Sequence, residues 1–225
     1  MIISYQGVES FKISQGDLTL ALNPISKDSR LVGGQAKLKP ARFGADITLI
    51  TTNHPDLNGA DNTSRGEKES FVISGPGEYE VQGVSIKGFE SLSKYGGSER
   101  INTIYLISFE GLNLCFLGAL SNGALDPKAL EHLEDIDILF VPIGGEGVLD
   151  AAAAYKLAVS LEPGIIIPMH YPSTGSGQVG PGDKEALKVF LKEGGEESVE
   201  ALDKLVVKKK DMEGKEGDII VLKEE

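Results

Sequence analysis

Cysteine, histidine and cationic side chains are all scarce in this chain: its 225 residues include one cysteine, three histidines and 22 lysines or arginines against 34 acidic residues. A single cysteine excludes a disulfide framework. Cys115 lies in the apolar run Leu112-Asn113-Leu114-Cys115-Phe116-Leu117, where a buried, inert thiol in a reducing compartment is expected. The deficit of cations gives a net charge of −12 and a pI near 4.8. Polyanions are bound by clustered Lys and Arg, so nucleic acid is excluded as a partner. The basic run Lys208-Lys209-Lys210 is followed closely by Asp211, Glu213 and Glu216 and reads as a solvated strand end. Nowhere do eighteen apolar residues run together, which excludes a membrane-spanning helix. The stretch Met1-Ile2-Ile3-Ser4-Tyr5-Gln6-Gly7 has no basic region followed by a long apolar one, so an unexported, cytoplasmic protein is expected. Linkers and low-complexity segments are also missing. With 40% hydrophobic residues, the chain is expected to form one domain, 1–225, around one core.

What is present is a change of rhythm along the chain. The first half alternates short β-rich runs with turn residues: Phe11-Lys12-Ile13, Leu18 to Leu22, Ile47 to Ile50, Phe71-Val72-Ile73, Tyr79 to Val81, Val84 to Ile86 and Thr103 to Ile107. Gly-Pro-Gly at 75–77 and Gln82-Gly83 are the turns between three of them. In the second half, Asp126-Pro127 predicts a helix over Lys128 to Leu133, Asp150 one over Ala151 to Leu161, and Asp183 one over Lys184 to Lys192. The runs Ile138 to Pro142 and Ile165 to Met169 are continuously apolar, as strands covered on both faces are. Leu205 to Val207 and Ile219 to Leu222 read as closing strands.

Unusual polar residues cluster at four strand ends: Asn53-His54-Pro55-Asp56, Ala119-Leu120-Ser121-Asn122, Gly144-Gly145-Glu146 and His170-Tyr171. Ligand sites of α/β sheets favour such ends. Two of the three histidines fall there, whereas His132 lies in a predicted helix beside Glu131 and Glu134 and reads as a surface residue. Taken alone, His54 and Asp56 read more readily as turn capping than as metal ligands, and His170 as a core histidine bonded to a carbonyl. The pattern Gly175 to Gly180 has the glycine spacing of a dinucleotide loop. It is separated from the preceding strand and from the next helix, and reads as a connector. Gly144-Gly145 is a turn at which a backbone could approach a ligand closely.

The segment Ala45 to Asn58, with Thr52-Asn53-His54-Pro55-Asp56-Leu57, resembles the metal-binding strand and loop of the metallo-β-lactamase superfamily, whose pattern is His-x-His-x-Asp-His. Asn102-Thr103-Ile104-Tyr105, Phe116-Leu117-Gly118-Ala119-Leu120, Asp137 to Gly145 and Ile167-Pro168-Met169-His170-Tyr171 match in the same order, and the closing Leu202-Asp203-Lys204-Leu205 also fits. The chain looks most like the branch of zinc-dependent hydrolases related to sugar-phosphate (ascorbate-6-phosphate) lactonases. The resemblance implies an α/β fold, a four-layer αββα sandwich with two central sheets, and a site for two zinc ions. It also implies that most ligands are missing. Family positions fall on Thr52, His54, Asp56, Leu57, Ser91 or a close neighbour, Ala119 and His170, of which His54, Asp56 and His170 keep ligand side chains. Catalytic zinc ordinarily needs three protein ligands and an open position for water.

The expectation is therefore a degenerate metal site without a cofactor, in a protein that acts by binding or assembly. Its small-molecule or protein partner is not legible, and a homo-oligomer is compatible. The alternative is a reduced hydrolase of lactones or phosphoesters, in which Asp56 and His170 carry catalysis and His54, Asp56 and His170 share one zinc, manganese or iron ion. A metal-free hydrolase using Ser91, Ser121 or Ser173 with His170 has no nucleophile-elbow pattern behind it.

Overall fold

The computed structural model describes residues 1–29, 38–172 and 181–225. Two sheets face each other. The first contains β1 (Ile2–Gly7), β2 (Ser10–Gln15), β3 (Leu18–Leu22), β4 (Ile47–Leu49) and β5 (Phe71–Ile73) in chain order, with β12 (Leu205–Val206) added beside β1. The second runs β6 (Gly77–Val81), β7 (Val84–Ser93), β8 (Arg100–Phe109), β9 (Leu112–Phe116), β10 (Ile138–Pro142), β11 (Ile165–Met169) and β13 (Asp218–Ile219). Each sheet begins as an antiparallel meander and ends parallel: β3, β4 and β5 in one, β9, β10, β11 and β13 in the other. The parallel strands place their carboxyl ends along one edge of the sandwich, and the site lies there.

Alternation decides which side chains meet. Phe11, Ile13, Leu20, Leu22, Ile47 and Leu49 point inward from the first sheet onto Tyr105, Phe116, Ile138, Phe140 and Ile167 of the second. Phe11 and Phe140 make the central edge contact between sheets, with ring centroids 4.8 Å apart. On the other face of the second sheet, Leu139, Val141 and Ile166 pack against α2 (Ala151–Ser160) and α3 (Ala186–Glu193). Burial on both faces explains why β10 and β11 are apolar throughout. Cys115 is fully buried in this layer, and burial pushes its thiol up to about 12. The outer face of the first sheet is covered by irregular chain: Phe43 lies under the Lys12 ammonium, and Thr63, after a 3-10 turn at Ala60–Asn62, bonds Thr48.

Local signals placed most elements, with several differences, among them a closing strand β13 shorter than the expected Ile219 to Leu222. β1 has no counterpart among the expected strands, since Ser4 and Gln6 interrupt its apolar run, and it forms because β2 and β12 pair with it on both sides. The helix expected over Lys128 to Leu133 is one turn, α1 (Pro127–Leu130): Asp126 caps it as expected, but after Glu131 the amides of His132 and Leu133 bond the carbonyls three residues back, and the chain continues as a turn rather than a helix. Asp150 caps α2 by accepting from the Ala153 amide at 2.9 Å, whereas Asp183 bonds only the Glu185 amide, so α3 begins two residues later than expected. Lys208-Lys209-Lys210 is not a strand end: Lys209 opens a 3-10 turn, and its ammonium lies 2.9 Å from the Asp137 carboxylate. His132 is exposed just beyond α1, stacked on Phe89 at 5.5 Å. Among the described residues no helix is long and apolar enough to cross a membrane. Ser173 and the glycine pattern 175–180 lie outside the described residues.

Candidate functional site

Three strand ends and two hairpin turns, β1–β2 and β7–β8, build the site. After β4 the chain makes a tight turn in which the His54 carbonyl accepts from the amides of Leu57 and Asn58, both at 2.8 Å, and this presents His54 and Asp56 together. After β11, His170 adopts φ 59, and its amide donates to the carbonyl of Val8 at 2.6 Å. Val8 is itself left-handed at φ 56, so the β1–β2 turn is folded back onto the strand end. Gly144, after β10, passes close under His170, where a β-carbon would overlap the His170 carbonyl oxygen. The glycine there admits a backbone, that of His170, rather than a ligand.

His54, Asp56 and His170 converge around one aromatic ring. Tyr95 packs against both histidines, its ring centroid 4.7 Å from each imidazole and in an edge contact with both. The imidazole centroids are therefore no farther apart than twice that distance. The Tyr95 hydroxyl donates to the Asp56 carboxylate at 2.7 Å, Ser29 donates to its other oxygen, and His54 Nδ1 lies 3.5 Å from the first. Nδ1 of His54 also accepts from the Asp56 amide at 3.2 Å. Burial lowers the His54 pKa; the Asp56 carboxylate opposes this, and the Arg100 guanidinium adds to it, so the imidazole is neutral near pH 7. Burial, and then the Asp56 charge, push the Tyr95 phenol far above its usual range. Tyr95 is accordingly a protonated donor and not a phenolate.

His170 is held from the other side. Its Nδ1 lies 2.6 Å from the carboxylate of Glu9, and both side chains are fully buried. Glu9 is satisfied further by the Asn23 amide at 2.9 Å, which also reaches the Thr51 hydroxyl at 2.8 Å. Nε2 of His170 has no hydrogen-bond partner among the described residues.

The four positions at which the resemblance implies lost ligands have structural roles. Three of them meet on Asn102, which is fully buried: its Oδ1 accepts from Thr52 Oγ1 at 3.1 Å and from the Ala119 amide at 3.0 Å. Its Nδ2 donates to Ser91 Oγ at 2.8 Å and to the Leu117 carbonyl at 2.9 Å. The fourth, Leu57, packs with Ala119, Tyr95, Val8, Ile25, Leu38 and Val148 in a separate small apolar cluster. Ser91, named as the nearest equivalent of the third histidine, is turned to Asn102, and the residue of that segment that touches both imidazoles is Tyr95.

These residues do not fit a pair of zinc ions. Both oxygens of Asp56 are taken by hydroxyls, a phenol ring packs against both histidines, and the walls contributed by Leu57 and Ala119 are apolar. Among the described residues no three His, Cys, Asp or Glu side chains are placed to hold a metal ion. Ser121, the other serine considered as a nucleophile, spends its hydroxyl on the Gly147 carbonyl and the Lys94 amide.

Sequence reasoning missed Glu9, Tyr95 and Ser29. Glu9 carries no local signal, since a glutamate after a glycine turn is ordinarily exposed. Tyr95 had a faint one: an aromatic residue before Gly96-Gly97, in a turn too polar to need it.

Residues 2–170 match the family model described as beta-lactamase superfamily domain. A UPF0173 metal-dependent hydrolase of Lysinibacillus sphaericus is 30% identical over 202 residues, covering 76% of this chain and 85% of the relative. One of Thermoplasma acidophilum is 26% identical over 157 residues, covering 60% of this chain and 70% of the relative. A metallo-β-lactamase superfamily protein of Thermotoga maritima, of known structure, superimposes with a TM-score of 0.72 at 27% identity, covering 99% of this chain and 98% of its own.

Proposed function

From the premise that this chain belongs to the metallo-β-lactamase superfamily, among the UPF0173 metal-dependent hydrolases, we propose that it has kept the fold and given up the chemistry. In this reading it is a cytoplasmic, metal-free member that acts as a binding or assembly protein. The observation that carries the reading is Tyr95, whose hydroxyl engages Asp56 while its ring lies against His54 and His170. Hydrolysis by this family's route requires a metal-bound water near a pKa of ~7, in a site with an open coordination position. A carboxylate already satisfied by two hydroxyls, beside two imidazoles that both pack against a phenol ring, offers no such position. The net charge of −12 directs the search for partners toward cationic or neutral proteins and small molecules rather than polyanions.

A second reading is favoured by the names of the relatives and by the unpartnered Nε2 of His170. It is a reduced hydrolase of lactones or phosphoesters, resembling sugar-phosphate lactonases, with His54, Asp56 and His170 on one zinc, manganese or iron ion. Elemental analysis of protein purified without chelator separates the two, alongside hydrolysis assays on a lactone and a phosphodiester with each metal added. The first reading expects far less than one equivalent of metal and no turnover above the free ion. One or two tightly held equivalents would overturn it.

A further inference from the structure

We propose that Asn122 is a site of spontaneous covalent modification, at which the Asn122-Gly123 pair cyclises, releases ammonia and reopens as aspartate or isoaspartate. The proposal goes beyond the reading above and holds whether or not the chain carries a metal.

Asparagine is followed by glycine twice in the chain, at Asn58-Gly59 and at Asn122-Gly123. In such a pair the glycine nitrogen gives up its proton to base and attacks the asparagine Cγ. A new N–C bond closes a five-membered imide, the Cγ–Nδ2 bond breaks, and Nδ2 leaves as ammonia. Water then opens the imide at one carbonyl or the other, giving aspartate or isoaspartate. Glycine favours the ring because it has no β-carbon to crowd the approach. The two pairs are chemically alike, so the fold decides which of them reacts.

At Asn122 the fold leaves every reacting group free. The residue is exposed, in the irregular chain between β9 and α1. Among the described residues the Gly123 amide donates no hydrogen bond, so its proton is open to solvent base. A β-carbon on Gly123 would meet nothing nearer than Leu157 at 3.8 Å, which leaves room for the ring. Asn122 Oδ1 accepts from the Ala124 amide at 3.0 Å. That donor is aimed at the oxygen on which negative charge collects as the nitrogen adds to Cγ.

At Asn58 the same groups are held. The Gly59 amide donates to the Pro24 carbonyl at 2.7 Å, which engages the proton that must leave and fixes the nitrogen that must attack. Gly59 is buried, and a β-carbon there would lie 2.5 Å from the Ile25 carbonyl oxygen. Asn58 Nδ2 donates to Asn53 Oδ1 at 2.9 Å, which restrains the side chain as well.

Reaction at Asn122 adds a negative charge, and isoaspartate also lengthens the main chain by a methylene. The change falls beside Ser121, whose amide donates to the Leu92 carbonyl at 3.1 Å and whose hydroxyl accepts from the Lys94 amide at 2.6 Å. Ser121 thereby anchors the turn that carries Tyr95, so the modification occurs at the rim of the candidate site.

The test is incubation of the native parent, the native Asn122→Gln variant and the urea-unfolded parent at mildly alkaline pH. Peptide mass mapping follows the amide-to-acid conversion at each asparagine, and isoaspartyl methyltransferase labels the isoaspartate. In the native parent, conversion at Asn122 is expected to outrun that at Asn58 by at least ~10-fold, a barrier difference of about 1.4 kcal/mol. In urea the two positions should convert at similar rates. Glutamine forms the larger ring far more slowly, so Asn122→Gln should lose the conversion at that position and leave Asn58 as slow as before. Native conversion at Asn58 as fast as at Asn122 would overturn the proposal. So would an unreactive Asn122 over a period in which the unfolded chain converts, or an Asn58 that stays slow in urea.

Discussion

Asn102 is the residue on which the remodelled site should be most sensitive, and the structure supplies the magnitude. Truncation to alanine removes four hydrogen bonds, but the four groups left behind are not equal. Thr52 Oγ1 keeps the Ile101 carbonyl at 3.3 Å, and Ser91 Oγ keeps the carbonyl of residue 102 at 3.1 Å. The Ala119 amide and the Leu117 carbonyl belong to residues with no exposed surface, and each loses the partner described for it. An unsatisfied buried group costs about 1–3 kcal/mol, so Asn102→Ala should lose about 2–6 kcal/mol. In a chain of this length that is roughly 4–24 °C of melting temperature. Asn102→Leu fills the same volume with apolar atoms and leaves the same two groups unpaired, so it should not rescue. Ser91→Ala and Thr52→Val each leave Asn102 with three of its four bonds and should cost less than about 1.5 kcal/mol. Urea unfolding followed by circular dichroism, with a shared m value across the series, measures all four. If Asn102→Leu came within ~1 kcal/mol of the parent, the site would be a packing problem rather than a hydrogen-bonded one, and the argument for a rebuilt network would fail.

Two further outcomes follow from other parts of the fold. Gly144→Ala places a β-carbon into the His170 carbonyl oxygen and within 3.1 Å of Gly182 and of the His170 ring, and the severest overlap is with backbone, so a loss of about 1–3 kcal/mol or more is expected in thermal melts; a neutral variant would show that the strand-end turn is not rigid. Burial alone would raise the Asp46 pKa, but the Lys68 ammonium at 2.6 Å and the Thr19 amide at 2.8 Å outweigh it and hold the carboxyl below its usual value. A carboxylate depressed in the folded state adds stability above its unfolded pKa, near 3.8, and that contribution disappears as the pH falls through the folded value. Asp46→Asn should therefore lower stability at pH 7 and flatten its decline below about pH 4, measured by urea midpoints across that range; an unchanged slope would remove Asp46 from the acid response.

Much of the fold was legible locally. β10 and β11 run over the same residues as the two continuous apolar stretches, Asp126 and Asp150 cap the helices they precede, and Gln82-Gly83 turns the chain between β6 and β7 with both residues at positive φ. Such features depend on neighbours a few positions away, which periodicity and capping chemistry report. The convergence of His54, Asp56 and His170 was legible too, because each sits at a strand end in a short string that resembles the family pattern. What those side chains do was not. Glu9 meets His170 across 161 positions, Tyr95 reaches Asp56 across 39, and Asn102 gathers Thr52 from 50 positions upstream. Nothing in the local pattern around a glutamate, a tyrosine or an asparagine encodes a partner so distant. The partner is chosen when two sheets close and bring the carboxyl ends of their parallel strands to one edge, where every buried polar group must find a bond. Composition and motif determined the architecture and the strand ends at which the site would form; only tertiary packing decided that a phenol and a buried amide would meet His54, Asp56, Thr52 and Ser91 there.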